Sequence, residues 1–319
     1  MNDAVVVLPP VEAAEREEFR RAVLAGLSQP KRAIPARFLY DQRGSALFDA
    51  ICELPEYYLT RTETAILTER AAEIARLAGP DCALIEFGSG SSTKSRLLLD
   101  ALDLAVYAPI DISRHHLDAT AARLRSDYPG LSIQPTCADF TSVERVAIEG
   151  ARRRIGFFPG STIGNLTPQE SDAFLRRVRA IVGDDGALLL GFDLRKDHAM
   201  LHAAYNDAAG ITAAFTLNLL RRMNRELDAD FDLAAFAHDA FYEPVEGRIE
   251  IYFRSLANQS VTIAGRRFDF AAGERVHTEY SYKYDPRLLG EAAARAGFKM
   301  THLWTDPAKQ FAVAWLAAR

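Results

Sequence analysis

Only three cysteines, Cys52, Cys82 and Cys137, occur in 319 residues, and none is near enough to another for a CxxC pair or a zinc-type spacing. A disulfide framework or structural zinc centre is therefore not expected; reduced, mostly buried thiols in a cytosolic protein are. Long apolar runs are scarce as well. The opening Val5-Val6-Val7 runs into Leu8-Pro9-Pro10 and then an acidic stretch, without the basic start and apolar core of a secretory signal. No later run approaches the length that crosses a bilayer. Positive charge is not in excess either: 38 Lys plus Arg face 43 Asp plus Glu, a formal net charge of −5. That balance gives no electrostatic drive toward nucleic acid or anionic membrane, and Arg152-Arg153-Arg154 is too short to act as a nucleic-acid patch. Internal repeats and low-complexity tracts are missing. What is expected is a cytoplasmic protein with a small-molecule partner and no second subunit, hence a monomer.

What is present is ordinary globular composition, 49% apolar and 25% charged, enough for one large domain or two moderate ones. Residues 11–27 and 60–78 carry apolar positions at helical spacing. Short apolar segments then alternate with helical ones. The strands are expected at 83–87, 105–110, 131–137, 154–159 and 187–192, the helices at 94–102, 113–127 and 168–182. Thr167-Pro168 supplies a cap and a first-turn proline for the last helix. Strands apolar on both faces and alternating with helices predict a parallel sheet covered on each side, with ligands at the carboxyl ends of its strands. This is an α/β, doubly wound core. After Asp193 the pattern changes: 196–224 reads as helix throughout, and 236–284 as antiparallel strands containing RIEIYFRS, VTI and HTEYSYKY. A helix at 286–296 and two strand-like runs in 298–319 rejoin the sheet. The predicted division is a core of 62–195 plus 284–319 and a mixed α+β lobe of 12–61 plus 196–283.

Chemistry concentrates at the strand tips. IEFGSGSSTK places Gly88 and Gly90 in a turn before a helix, where backbone can approach a ligand closely. Thr93 stands where a P-loop, or a dinucleotide fingerprint, needs glycine, which disfavours both. S-adenosylmethionine needs no pyrophosphate cradle, so it is compatible with Thr93. Asp111 ends the second strand and can accept both hydroxyls of a ribose; equally, it or Ser113 could cap the following helix. Asp139 and Phe140 end the third strand and suit an adenine, the carboxylate accepting from the amine and the ring packing on its face. A polar loop with a buried Phe is the competing reading. In FPGSTIGNLTP, Asn165 can donate and accept, as an amino or carboxylate group requires, or it can form an Asx-turn ahead of Thr167. The three strand tips together favour a nucleoside cofactor.

At these residues the sequence resembles the histidine-specific, S-adenosylmethionine-dependent methyltransferases, which make hercynine in ergothioneine biosynthesis. LPEYYLTRTE, EFGSGSSTK, PGSTIGNLTP, AYNDAAGITAAF and Glu279-Tyr280-Ser281 carry the likeness, from about residue 12 to 319. It implies a Rossmann-like class I methyltransferase core with a substrate-binding lobe. It also implies that Gly88, Lys94, Asp111, Asp139 and Phe140, with Tyr40, bind S-adenosylmethionine. Tyr57, Asn165 and Tyr205 would hold the amino acid's backbone groups, with Tyr57 and Asn165 nearest the reacting amine. Glu279-Tyr280-Ser281 would line the imidazole, Glu279 and Ser281 matching its hydrogen-bonding pair. No metal is implied. One departure is Ile251, where the best-known members carry methionine near the ring.

The residue types agree with that reading. A carboxylate such as Glu279 accepts a ring N–H with charge assistance. The two tyrosines can donate to a carboxylate and wall a methyl-transfer site, or simply be satisfied core tyrosines. The expected activity is three methyl transfers to the α-amine of L-histidine. Another amino acid such as tryptophan, or a non-catalytic S-adenosylmethionine-binding module, are the rivals. His198 and His202 at i, i+4 read as a surface pair, since no Glu follows His198 as in HExxH. His115-His116 is expected in solvent, and the eight acids against one base in 226–250 read as a solvated face.

Overall fold

The computed structural model describes residues 11–90 and 93–319. The valine run at the start and Ser91-Ser92 of the glycine-rich turn lie outside the described residues, as do the side chains of Thr93, His115 and His116. The helices are α1 (Val11–Leu27), α2 (Gln42–Cys52), α3 (Tyr58–Ala78), α4 (Thr93–Ala101) and α5 (Arg114–Asp127). They continue with α6 (Pro168–Val182), α7 (His198–Tyr205), α8 (Ile211–Glu226) and α9 (Pro286–Arg295). Strands β1 (Cys82–Phe87), β2 (Leu104–Asp111), β3 (Ser132–Ile133), β4 (Thr136–Cys137), β5 (Arg153–Phe158) and β6 (Ala187–Asp193) come first. Then follow β7 (Phe236–Glu243), β8 (Arg248–Ser255), β9 (Gln259–Ile263), β10 (Arg266–Phe270), β11 (Arg275–Tyr282), β12 (Phe298–Thr305) and β13 (Phe311–Ala318).

The main sheet runs β12-β13-β6-β5-β1-β2-β3, with β4 also on β2. From β3 to β6 every pairing is parallel, whereas β13 lies antiparallel to β6 and β12 antiparallel to β13. All six residues of β1 and all seven of β6 are buried, as expected of strands covered on both faces. One core joins Ile85, Phe158, Leu188 and Leu316 to Phe174 and Val178 of α6 and Leu289 of α9. α6 begins with a capping box, Glu170 N–H donating to Thr167 Oγ1 and Thr167 N–H to the Glu170 carboxylate. It stops at Gly183, whose φ of 76° only glycine adopts without strain.

Three departures from the sequence reading have local causes. The expected strand 131–137 is split into β3 and β4 at Gln134-Pro135, where proline withholds a ladder donor. The expected helix 196–224 is two helices, broken at Asn206–Gly210, with Gly210 at φ 71° opening α8. Within the antiparallel stretch β7 lacks a clear apolar alternation, burying only Phe236 and Ala240, whereas β10 alternates, with Phe268 and Phe270 buried and Arg267 and Asp269 exposed.

The chain divides into two compact units. One gathers the described residues to Leu47 with Gly210–Ala240 and Ile251–Glu279; the other gathers Phe48–Ala209, Phe241–Glu250 and Tyr280–Arg319. The predicted boundaries differ: 48–61, 196–209, 241–250 and 280–283 group with the main sheet; Tyr58, Lys196 and Lys283 all bond Asp193 at the end of β6, and Arg248 lies over the Tyr280 ring. In the smaller unit, Asn218 and Arg225 of α8 bond the Asp41 carboxylate, and Arg222 lies over Phe19 and donates to the Phe38 carbonyl. Among the described residues, no helix is long and apolar enough to cross a membrane.

Candidate active site

The carboxyl ends of β1, β2, β4 and β5 carry Lys94, Asp111, Asp139 and Asn165 of the residues singled out by the sequence. After β1 the backbone turns at Gly88, φ 76°, whose N–H donates to the Ile110 carbonyl. A Cβ on Gly88 would meet the Phe140 ring at 3.5 Å, so the turn and that ring are in near contact. Phe140 packs edge-on against Phe158 and Phe174, which fixes its plane. Asp111, half-buried at the end of β2, accepts from Gly90 N–H at 2.9 Å and from Ser113 N–H at 2.9 Å. It thus braces the glycine turn and opens α5 at once. Asp139 accepts from the backbone and hydroxyl of Thr141, at 2.8 and 2.6 Å.

Lys94, at the start of α4, reaches across to Glu63 of α3, Nζ to Oε2 2.5 Å. Glu63 is fully buried and also accepts from Gly160 N–H at 2.8 Å. A Cβ on Gly191 would fall 1.8 Å from its Oε1, so only glycine there leaves the carboxylate its place. Glu63 therefore ties the helix after β1 to the loop after β5. In that loop Ser161 adopts φ 59° and its Oγ accepts from Asp193 N–H at 2.9 Å. Asn165 ends the short 3-10 helix Thr162–Asn165 and is half-buried. Next to it Gly164 lies so close to β11 that a Cβ would be 2.8 Å from the Tyr282 carbonyl oxygen.

Around Asp193 the larger unit buries a polar network that sequence reasoning missed. Asp193 accepts from Tyr58 Oη at 2.7 Å and from Lys283 Nζ at 2.9 Å, and it pairs with Lys196. Lys283 also donates to Tyr205 Oη and Ser281 Oγ, each at 2.8 Å, and those hydroxyls bond each other at 2.8 Å. Tyr57 stands edge-on to Tyr205, ring centroids 6.1 Å apart, and Phe48 edge-on to Tyr57. Burial opposes the charge on Lys283, but Asp193 and the Tyr205 hydroxyl outweigh it and hold the ammonium above the usual lysine range. Burial acts unchecked enough on Lys196 to pull it down to about 8 despite Asp193. Burial, then Asp193, raises the Tyr58 phenol. The signals were present: Tyr58 sits inside LPEYYLTRTE, and Lys283 follows Ser281 by two, hence on the same face of its strand.

A second buried acid was overlooked, Glu86, in the apolar strand IEF itself. Ser95 Oγ, at 2.5 Å, and Tyr107 Oη both donate to its Oε2. Burial dominates those bonds and pushes the carboxyl up to about 7.

The structure brings together Tyr57, Tyr205 and Ser281, and separately Gly88 with Phe140 and Asp111 with Gly90. Glu279 is half-buried on β11, on the same strand face as Ser281 by alternation. Tyr280 projects to the opposite face, where the Arg248 guanidinium lies 4.1 Å over its ring and Tyr282 stands beside it. Tyr40 belongs to the smaller unit and meets Phe215 edge-on. Ile251 is buried, and its carbonyl accepts from Thr278 Oγ1. The acidic stretch is only partly a solvated face: Glu250 is buried, paired with Arg248 at 2.6 Å. His198 and His202 are exposed, His198 against the Tyr242 ring. Among the described residues no group of three His, Cys, Asp or Glu is placed to hold a metal.

With this geometry, the family model described as histidine-specific methyltransferase, SAM-dependent, matches residues 19–318. The chain is 45% identical to the histidine N-alpha-methyltransferase of Mycolicibacterium smegmatis, covering 95% of each chain. It is 42% identical to that of Mycobacterium tuberculosis, covering 97% of each. Ergothioneine biosynthesis protein 1 of Neurospora crassa is 30% identical over 88% of this chain, which spans 33% of that longer protein. Matched along almost its whole length, the chain belongs to the histidine-specific, SAM-dependent methyltransferases.

Proposed function

We propose that the protein transfers methyl groups from S-adenosylmethionine to the α-amine of L-histidine, three in succession, giving hercynine for ergothioneine biosynthesis. The observation that carries this reading is the likeness, at 45% identity along 95% of each chain, to a histidine N-alpha-methyltransferase. The strand tips fit the donor. Gly88 leaves room for a close approach beside the Phe140 ring, and the Asp111 carboxylate stands beside the glycine turn, as a nucleoside with two ribose hydroxyls requires. Bound there, the donor supplies a methyl group on a positively charged sulfur. The protein's own work is alignment and exclusion of water.

In this reading Asp111 accepts the ribose hydroxyls, Asp139 and Phe140 hold the adenine, and Gly88 and Lys94, with Tyr40, complete the donor site. Tyr205 donates to the substrate carboxylate; Tyr57 and Asn165 orient the amine; Glu279 and Ser281 bond the imidazole. The neutral amine forms an N–C bond as the S–C bond breaks, and the bonding pair stays on sulfur. Each transfer needs a free lone pair, so an ammonium proton must leave before each one. Aromatic walls at Tyr57 and Tyr205 suit the cationic product.

The test is to incubate the protein with S-adenosylmethionine and, separately, L-histidine, L-tryptophan and other amino acids, reading products by mass. Three successive methyl additions on histidine, with S-adenosylhomocysteine accumulating, are expected. Absence of any gain on histidine overturns the reading, and a gain on tryptophan instead reassigns the substrate.

A further inference from the structure

The buried cluster beneath Tyr205 and Ser281 contains more charge than a packing role requires. Lys283, almost fully buried, has three ammonium hydrogens and three acceptors within 2.9 Å: Asp193 Oδ2, Tyr205 Oη and Ser281 Oγ. Each hydroxyl thus receives a hydrogen from below. The two hydroxyls also bond each other, which uses one of the two hydroxyl hydrogens they own. At most one O–H of the pair can then point toward a ligand. If Ser281 donates to Tyr205, the phenol presents its hydrogen and Ser281 presents a lone pair. If Tyr205 donates to Ser281, the roles exchange.

We infer that Lys283 is a positioning residue that couples Tyr205 and Ser281, so that the methyl acceptor meets one O–H and one oxygen lone pair from the two, never two donors. This rests on the proposed histidine methylation and deepens it. When Tyr205 gives its hydrogen to the substrate carboxylate, Ser281 is an acceptor and selects a substrate atom that carries a hydrogen. Asp193 keeps Tyr58 and Lys196 as partners without Lys283, so a neutral residue at 283 does not strand the carboxylate.

A double-mutant cycle on histidine turnover tests the coupling, with Lys283→Met, Tyr205→Phe and the two combined. Each single change is expected to raise KM for histidine about tenfold with a smaller change in kcat. The combination should be no worse than roughly the larger single effect. Affinity for S-adenosylhomocysteine, measured by calorimetry, should stay within about twofold throughout. If Lys283→Met does not fold, Asp193→Asn with Lys283→Met replaces it as a neutral pair on both sides of the cycle. Multiplying effects, an unchanged histidine KM, or loss of S-adenosylhomocysteine binding in both backgrounds would overturn the inference. A wild-type protein inactive on histidine would instead overturn the reading on which it rests.

Discussion

Glu86 is a carboxylic acid placed in the middle layer of the molecule, on a strand with no exposed residue. Its folded pKa, about 7, lies above its ordinary value of 4.5 because burial disfavours the charged form. Below the ordinary value the group is neutral folded or unfolded and costs nothing. Between the two values only the unfolded chain ionises freely, so stability falls as pH rises, and the penalty is complete above about 7. Glu86→Gln removes the ionisation, and its amide oxygen can still accept from Ser95 and Tyr107, which both bond one oxygen of the acid. The variant should match the wild type near pH 4 and exceed it by roughly 3 kcal/mol at most near pH 8, as urea unfolding at the two pH values would read. A gap that does not widen with pH would mean that the carboxyl is not the strained group. At this scale the sequence was informative where a side chain acts through its own position, as at Asp111 at the end of β2, beside Gly90. It was mute where chemistry depends on distant partners: nothing near Glu63 announces Lys94 and Gly160, and nothing near Asp193 beyond Lys196 announces Lys283.

At the scale of elements, α6 joins its sequence signals to its structure most directly. Thr167, Pro168 and Glu170 form a reciprocal cap, and the apolar face carries Phe174, Leu175, Val178 and Ile181 into the core. Thr167→Ala leaves that face intact and removes one acceptor for an otherwise unbonded N–H. A loss of about 1 kcal/mol is expected, seen as a lowered urea midpoint with unchanged slope. Loss of more than several times that would show that the loop after β5 unfolds with the cap. The parallel strands were legible for the same reason as α6: β1, β5 and β6 are apolar on both faces, so no alternative pairing hides them. The smaller strands were not. Pro135 divides a segment that apolar content alone reads as continuous, and β7 buries too few apolar side chains, Phe236 and Ala240, to mark a strand, although it pairs with β8, the next strand in the chain. Asn206–Gly210 interrupts a helical pattern that periodicity carried straight through.

At the scale of the whole molecule, a ligand that binds only the folded state adds stability by mass action. S-adenosylhomocysteine at about 100 times its dissociation constant should add roughly 2.7 kcal/mol, seen as a rise in thermal midpoint. In Asp111→Ala the rise should shrink strongly at the same concentration, while Glu279→Ala should keep it and lose histidine turnover. Equal losses in both variants would place the two residues in one role. The domain plan was legible only in outline. Composition separated a parallel core from an antiparallel stretch, yet the observed units take 196–209 and 280–283 into the core because Lys196 and Lys283 meet at Asp193 and Lys283 in turn bonds Tyr205 and Ser281, a convergence that no local pattern encodes.

The sheet order has one further consequence, for synthesis on the ribosome. β13 is translated after every other strand of its sheet, yet it lies inside that sheet, and among the described residues it is what joins β12 to β6. Until Phe311–Ala318 leaves the exit tunnel, β6 offers an open apolar edge to any neighbouring nascent chain. A premature stop just before Phe311 would spare every residue discussed at the strand tips and still leave a protein bound for aggregation rather than turnover.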